Sequence, residues 1–132
     1  MIKSAKQRLA LMVNPERASL IKWFSLMFSG SSSQAAAYLT DIAIKKKYIA
    51  KRKAPPGEML KHWVKNNDAP QWACRSAFDY LIAHHWTPTN ESQRAIAARY
   101  LLLNKHPISK QWVELTGQWL DIAYQAQQEN KQ

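Results

Sequence analysis

Lys45, Lys46 and Lys47, followed by Lys51, Arg52 and Lys53, set six cations within nine residues, with Tyr48 between the two groups. Side chains of this type neutralise phosphates. A phosphate footprint needs several of them close together, and each neutralised phosphate releases counterions. Tyr48 adds a ring able to pack on a sugar or a base. So concentrated a block carries a long-range field and calls for an anionic partner or for solvent around it. The rest of the chain sharpens the contrast. Residues 1–53 hold 11 Lys/Arg against Glu16 and Asp41, a balance of +9, while residues 54–132 hold 8 against 7, a balance of +1. Lys3, Lys6, Arg8, Arg17 and Lys22 extend the basic surface wherever the fold turns them to the same side. A blander reading competes, in which lysines near a helix C-terminus complement its dipole and stay solvated. An anionic membrane surface is the third possible partner.

Two stretches have the outline of a helix-turn-helix. In residues 17–50, Gly30-Ser31-Ser32-Ser33 joins two helical stretches, and Gln34 opens the second, where base-contacting residues usually sit. In residues 92–120, Gln93, Arg94 and Arg99 precede a turn at Pro107. Neither has compact spacing, and any two amphipathic helices joined by a short loop look similar.

Catalysis finds little support. The nine acidic residues are scattered, with no close pair of the kind a two-metal nuclease converges on its ions. Three glycines leave no room for a phosphate-cradling loop. His62, His84, His85 and His106 have no zinc-like spacing, so neither a metal nor a cofactor is expected. Cys74, the single cysteine, excludes an internal disulfide and reads as a buried inert thiol, which suits a reducing cytoplasm. Trp112, Leu115, Trp119 and Ile122 recur at steps of 3, 4 and 3, so these tryptophans read as core. Trp63 and Trp86 stand near helix ends and are the candidates for a partly exposed partner contact.

The elements that position these residues are helical. With 46% apolar residues and 132 in all, the chain is expected to form a single compact all-α domain of six or seven helices. Scarce glycine implies few tight turns and few positive-φ positions. The first helix covers the start of the chain, which is too short in apolar core for a signal peptide, and no run approaches the roughly 20 residues of a membrane span. Asn14 and Pro15 are expected to open the second helix. A serine of the 30–33 turn caps the third, whose alanine run continues to about residue 50 and carries the basic run at its end. Ala54-Pro55-Pro56-Gly57 breaks the chain and a short helix follows to about Lys65. Asp68 then caps a helix to about His85 that is apolar nearly all round, with Arg75, Ser76 and Asp79 as its polar strip. Such a helix is central in its domain. Two more run from about Glu91 to Asn104 and from Ser109 onward, and the polar tail 125–132 frays.

Residues 1–53 thus form the nucleic-acid-facing part and 54–124 mainly scaffold. The function expected is non-catalytic nucleic-acid binding, DNA before RNA because a helix face suits a major groove. The protein serves as a small regulator or as a backbone-coating accessory subunit of a nucleoprotein complex. Its site comprises Lys45, Lys46, Lys47, Tyr48, Lys51, Arg52, Lys53, Gln34, Lys22 and Arg17. The alternative is an adaptor or inhibitor whose basic face docks an acidic protein, with Trp63 or Trp86 as anchor.

Overall fold

A computed structural model gives the fold and describes residues 2–130, with side chains through Glu129. The described residues form α1 (Ala5–Val13), α2 (Ser19–Met27), α3 (Ser32–Lys45), α4 (Met59–Asn66), α5 (Gln71–Ala83), α6 (Glu91–Leu103), α7 (Lys110–Thr116) and α8 (Gln118–Asn130). The all-α class is as expected. The helix number is not: there are eight, against six or seven. Gly117 makes the difference, because it holds φ 56° and ψ −136° and divides the expected last helix in two. That backbone conformation is open to glycine and strained for a residue with a Cβ. The Trp112–Ile122 stripe is therefore split between α7 and α8. Trp112 and Leu115 are half-exposed on α7, while Trp119 and Ile122 are buried on α8.

The helix ends show a second departure. Four of them close through a left-handed residue that is not glycine: Lys47 (φ 64°), Asn67 (φ 50°), His85 (φ 67°) and Lys105 (φ 58°). Around Lys47 the pattern is complete, with the Tyr48 N–H donating to the Ala43 carbonyl at 2.8 Å and the Lys47 N–H to Ile44 at 3.1 Å. The same double bond closes α5 and α6, from Trp86 and His106 to the carbonyls of Leu81 and Leu101. These are Schellman ends, and a few residues other than glycine tolerate the position at a cost of about 1–2 kcal/mol. Scarce glycine thus did not mean few positive φ angles. Consequently α3 stops at Lys45, five residues before its expected end, and most of the basic run is not helical.

Helix starts follow local polar chemistry. Ser4 with Gln7 and Ser31 with Gln34 form reciprocal capping boxes, and Asn90 and Ser109 each accept the N–H three residues on. Asn14 closes α1 instead of opening α2, which begins at Ser19, and α5 begins at Gln71 behind Pro70 without an Asp68 cap.

The chain divides into two compact units: Met1–Glu16 with Thr87–Gln132, and Arg17–Trp86. In the first, α8 packs on α1 and α6 around Val13, Ile96, Tyr100 and Leu101, all fully buried. The Glu129 carboxylate accepts the N–H groups of Ala5 and Lys6, both at 3.0 Å, and so satisfies the open start of α1 with an anion. The tail expected to fray is helical to Asn130, and Lys131 and Gln132 lie outside the described residues. In the second unit α5 is the central element, packed on α2 and α3 through Leu20, Ile21, Phe24, Leu39, Phe78 and Leu81. The Cys74 thiol is buried there. Lys3, Lys6 and Arg8 belong to the first unit and the basic run to the second.

Candidate nucleic-acid interface

The basic run begins on a helix face and continues as a strap. Gln34, Tyr38, Asp41 and Lys45 are exposed at helical spacing, so they form one solvent line along α3. Beyond Lys45 the left-handed Lys47 turns the chain out of the helix. The segment then returns to where α3 began: a Cβ on Gly57 would lie 2.5 Å from the backbone C of Ser32 and the N of Ser33. A helix of 14 residues is about 21 Å long. The eleven residues from Lys47 to Gly57 therefore cover about that distance, and Lys51, Arg52 and Lys53 lie along it.

Two side chains pin the strap to α5. The Tyr48 hydroxyl donates to Asp79 Oδ2 at 2.5 Å, and the Arg75 guanidinium lies 3.8 Å from the centre of the Tyr48 ring. Four residues on, the Arg52 guanidinium stands 5.5 Å over the ring of Trp72. Trp72, Arg75 and Asp79 share one face of α5 and form the strap's docking line; Ser76, the third polar residue of the strip seen in the sequence, is buried and donates to the Trp72 carbonyl within the helix. Burial first, then the hydrogen bond to Asp79 and that carboxylate's charge, hold the Tyr48 phenol well above its ordinary range, with Arg75 pulling the other way.

Removing this anchor destabilises the fold in a pH-dependent way. Tyr48→Phe is expected to cost about 1.5–2 kcal/mol at neutral pH, the lower part of the range for a hydrogen bond to a charged group because the site is half-exposed. The folded pKa lies above the unfolded value of 10.0. The unfolded chain thus ionises first, and the phenol's contribution is intact below pH 10.0 and lost as pH rises through the folded pKa. Urea denaturation at about pH 7 and about pH 11 checks this: the parent should lose more stability between them than the variant. Equal losses contradict it.

The expected site residues fall into three groups. Lys45, Lys46, Lys47, Lys51 and Lys53 are exposed, and among the described residues none of them is in an ion pair. Tyr48 and Arg52 serve the strap itself. Arg17 and Lys22 lie elsewhere in the second unit, and Gln34, at the start of the exposed α3 line, is engaged locally: its side-chain carbonyl accepts the Ser31 N–H at 2.8 Å in the capping box. The Arg17 guanidinium donates to the Ala69 carbonyl and, at 3.3 Å, to Cys74 Sγ. Lys22 lines a separate cleft. Trp63 is buried edge-on against Trp72 at 6.0 Å, whereas Trp86 is half-exposed and stacked on Trp23 at 5.3 Å.

No family model matches the chain, and neither a curated protein nor a solved structure is significantly similar to it. The site must be read from its own chemistry. Five ammonium groups at the end of α3 and along a pinned strap can hold a polyanion along its backbone. Of the helix-turn-helix outlines, the first has a second helix ending at Lys45, and the other is interrupted at Gly117. Among the described residues no group of three or more His, Cys, Asp or Glu is placed to hold a metal, and no helix is long and apolar enough to cross a membrane. Sequence reasoning missed Trp72 as a partner of Arg52, although Arg75 and Asp79 were conspicuous as polar positions on an otherwise apolar helix.

Proposed function

We propose that this protein binds nucleic acid without catalysis, through phosphate contacts made by Lys45, Lys46, Lys47, Lys51 and Lys53. The observation that carries the reading is their placement: all five are exposed and free of ion pairs among the described residues, Lys45 and Lys46 at the end of α3 and Lys47, Lys51 and Lys53 on the strap anchored at Tyr48, Arg52 and Gly57. Anchoring lowers the ordering entropy lost on binding, because the segment is already fixed. The ground for preferring DNA weakens, since that preference relied on a helix face and only Lys45 of the basic run is on α3. A strap of lysines reads phosphates, and phosphate contacts position a protein without specifying sequence. This favours a backbone-coating accessory role, within a cytoplasmic nucleoprotein complex, over a sequence-reading regulator.

The test is a titration of labelled duplex DNA, single-stranded DNA and RNA at two salt concentrations. Five phosphate contacts give a slope of log K against log salt of about −4.5 on duplex and about −3.5 on a single strand. Unrelated sequences should bind alike. Absence of binding to all three probes at low salt sinks the proposal, and strong discrimination between sequences restores the regulator.

A further inference from the structure

We propose that the cleft between α2, the start of α3 and α4 docks an acidic amphipathic segment of a partner protein. The cleft has a volume of about 380 Å³ and is lined by Leu26, Leu60 and Val64, with Lys22, Lys61 and Lys65 among the same lining residues and no carboxylate. Leu26 is 76% exposed, an unusual amount for a leucine on a helix that buries Leu20, Ile21 and Phe24. On α4, Leu60, Lys61, Val64 and Lys65 recur at steps of 1, 3 and 1, so apolar and basic positions run side by side along the wall. The exposed lysines of that wall are in no ion pair among the described residues.

The shape and chemistry select the occupant. The volume is near the lower end for ligand pockets, enough for a few side chains and not for a whole helix. Apolar anchors projecting from one face of a short segment fit such a groove. Charge complementarity sets the flanking residues: three ammonium groups without a carboxylate favour Asp and Glu beside the anchors. A nucleobase fits less well, because aliphatic side chains offer no ring to stack on. The aromatic residue in the lining, Phe28, already faces Phe24, Tyr38 and Tyr80 at centroid distances of 5.2, 5.4 and 6.1 Å. The cleft uses none of the strap lysines, so this site stands whether or not the strap binds nucleic acid.

A displayed library of 12-residue peptides, selected on the full chain and counter-selected on Leu26→Asp/Lys61→Glu, tests the proposal. Enriched sequences should combine Leu, Ile or Phe at steps of three or four with Asp or Glu beside them. A synthetic peptide of the enriched sequence should bind the variant at least tenfold more weakly. It should bind Lys51→Glu/Lys53→Glu within twofold of the parent. The second variant Lys61→Glu/Lys65→Glu changes exposed residues alone and should repeat the loss should the first unfold. No enrichment above the counter-selection, enrichment of sequences without apolar anchors or without acids, or displacement of the peptide by a mononucleotide or by anionic vesicles would overturn it.

Discussion

Lys45→Glu/Lys46→Glu/Lys47→Glu is expected to weaken nucleic-acid binding by about a hundredfold or more at moderate salt. Three of the five exposed lysines of the basic run are lost and three repulsive charges take their place. The salt dependence gives the cleaner reading, since it counts phosphates: with two contacts left, the slope on duplex should fall from about −4.5 to about −1.8. The folded state has its own stake in these positions. A glutamate in the last turn of α3 opposes the helix dipole and costs a few tenths of a kcal/mol to about 1 kcal/mol. Position 47 keeps its left-handed strain whichever of the two side chains it carries. Lys45→Gln/Lys46→Gln/Lys47→Gln separates the effects, because it removes the contacts without adding repulsion at the helix end. It should show the same slope with a smaller loss of affinity. Binding that survives both variants unchanged, with the parent slope, removes the strap from the interface.

What could be read from the sequence was the helical class, the central place of α5 and the position of the charge. Periodicity carried the first two, because the apolar faces of α2 and α5 repeat at helical spacing and bury as such. Helix ends were readable where a short polar side chain or a turn or proline signal announced them, as at Ser31 and before Pro88 and Pro107. The end at Lys47 gave no such signal, and at Lys47, His85 and Lys105 alike the left-handed turn was invisible: the backbone closes there through N–H bonds to carbonyls, in a conformation that any residue can adopt at a cost, and composition is silent on that. The misplaced end of α3 then propagated, turning an expected helix face into a strap. Tyr48 shows the limit most clearly. Its position between lysines suggested a ring offered to a nucleic acid, and its hydroxyl is instead bonded to Asp79, 31 residues away in the chain. Gly117 misled in the opposite way, since apolar spacing ran through it unbroken from α7 to α8 while its dihedral angles ended the helix.

Gly57→Ala is expected to be among the most damaging single-methyl additions in the chain. The new Cβ would lie 2.5 Å from both the C of Ser32 and the N of Ser33, and 2.8 Å from the Ser32 Cβ. Two of these are backbone atoms of the first turn of α3, which the Ser31–Gln34 capping box holds in place, so no flexible side chain can swing aside. Either the strap lifts from the helix or the start of the helix shifts. Overpacking of this kind costs about 1–3 kcal/mol. In a cooperative unit of this size, each kcal/mol lowers the melting temperature by about 4–8 °C. Circular dichroism of the parent and the variant measures the difference directly. The consequence for binding should be milder than for stability: the anchors at Tyr48 and Arg52 remain, and all five lysines keep their charge. Nucleic-acid affinity should therefore fall by only a few-fold, through the entropy of a looser segment, with the salt slope unchanged. An alanine variant as stable as the parent would mean that the strap does not return to α3 at Gly57. The lysines from Lys51 onward would then have no fixed place beside the helix.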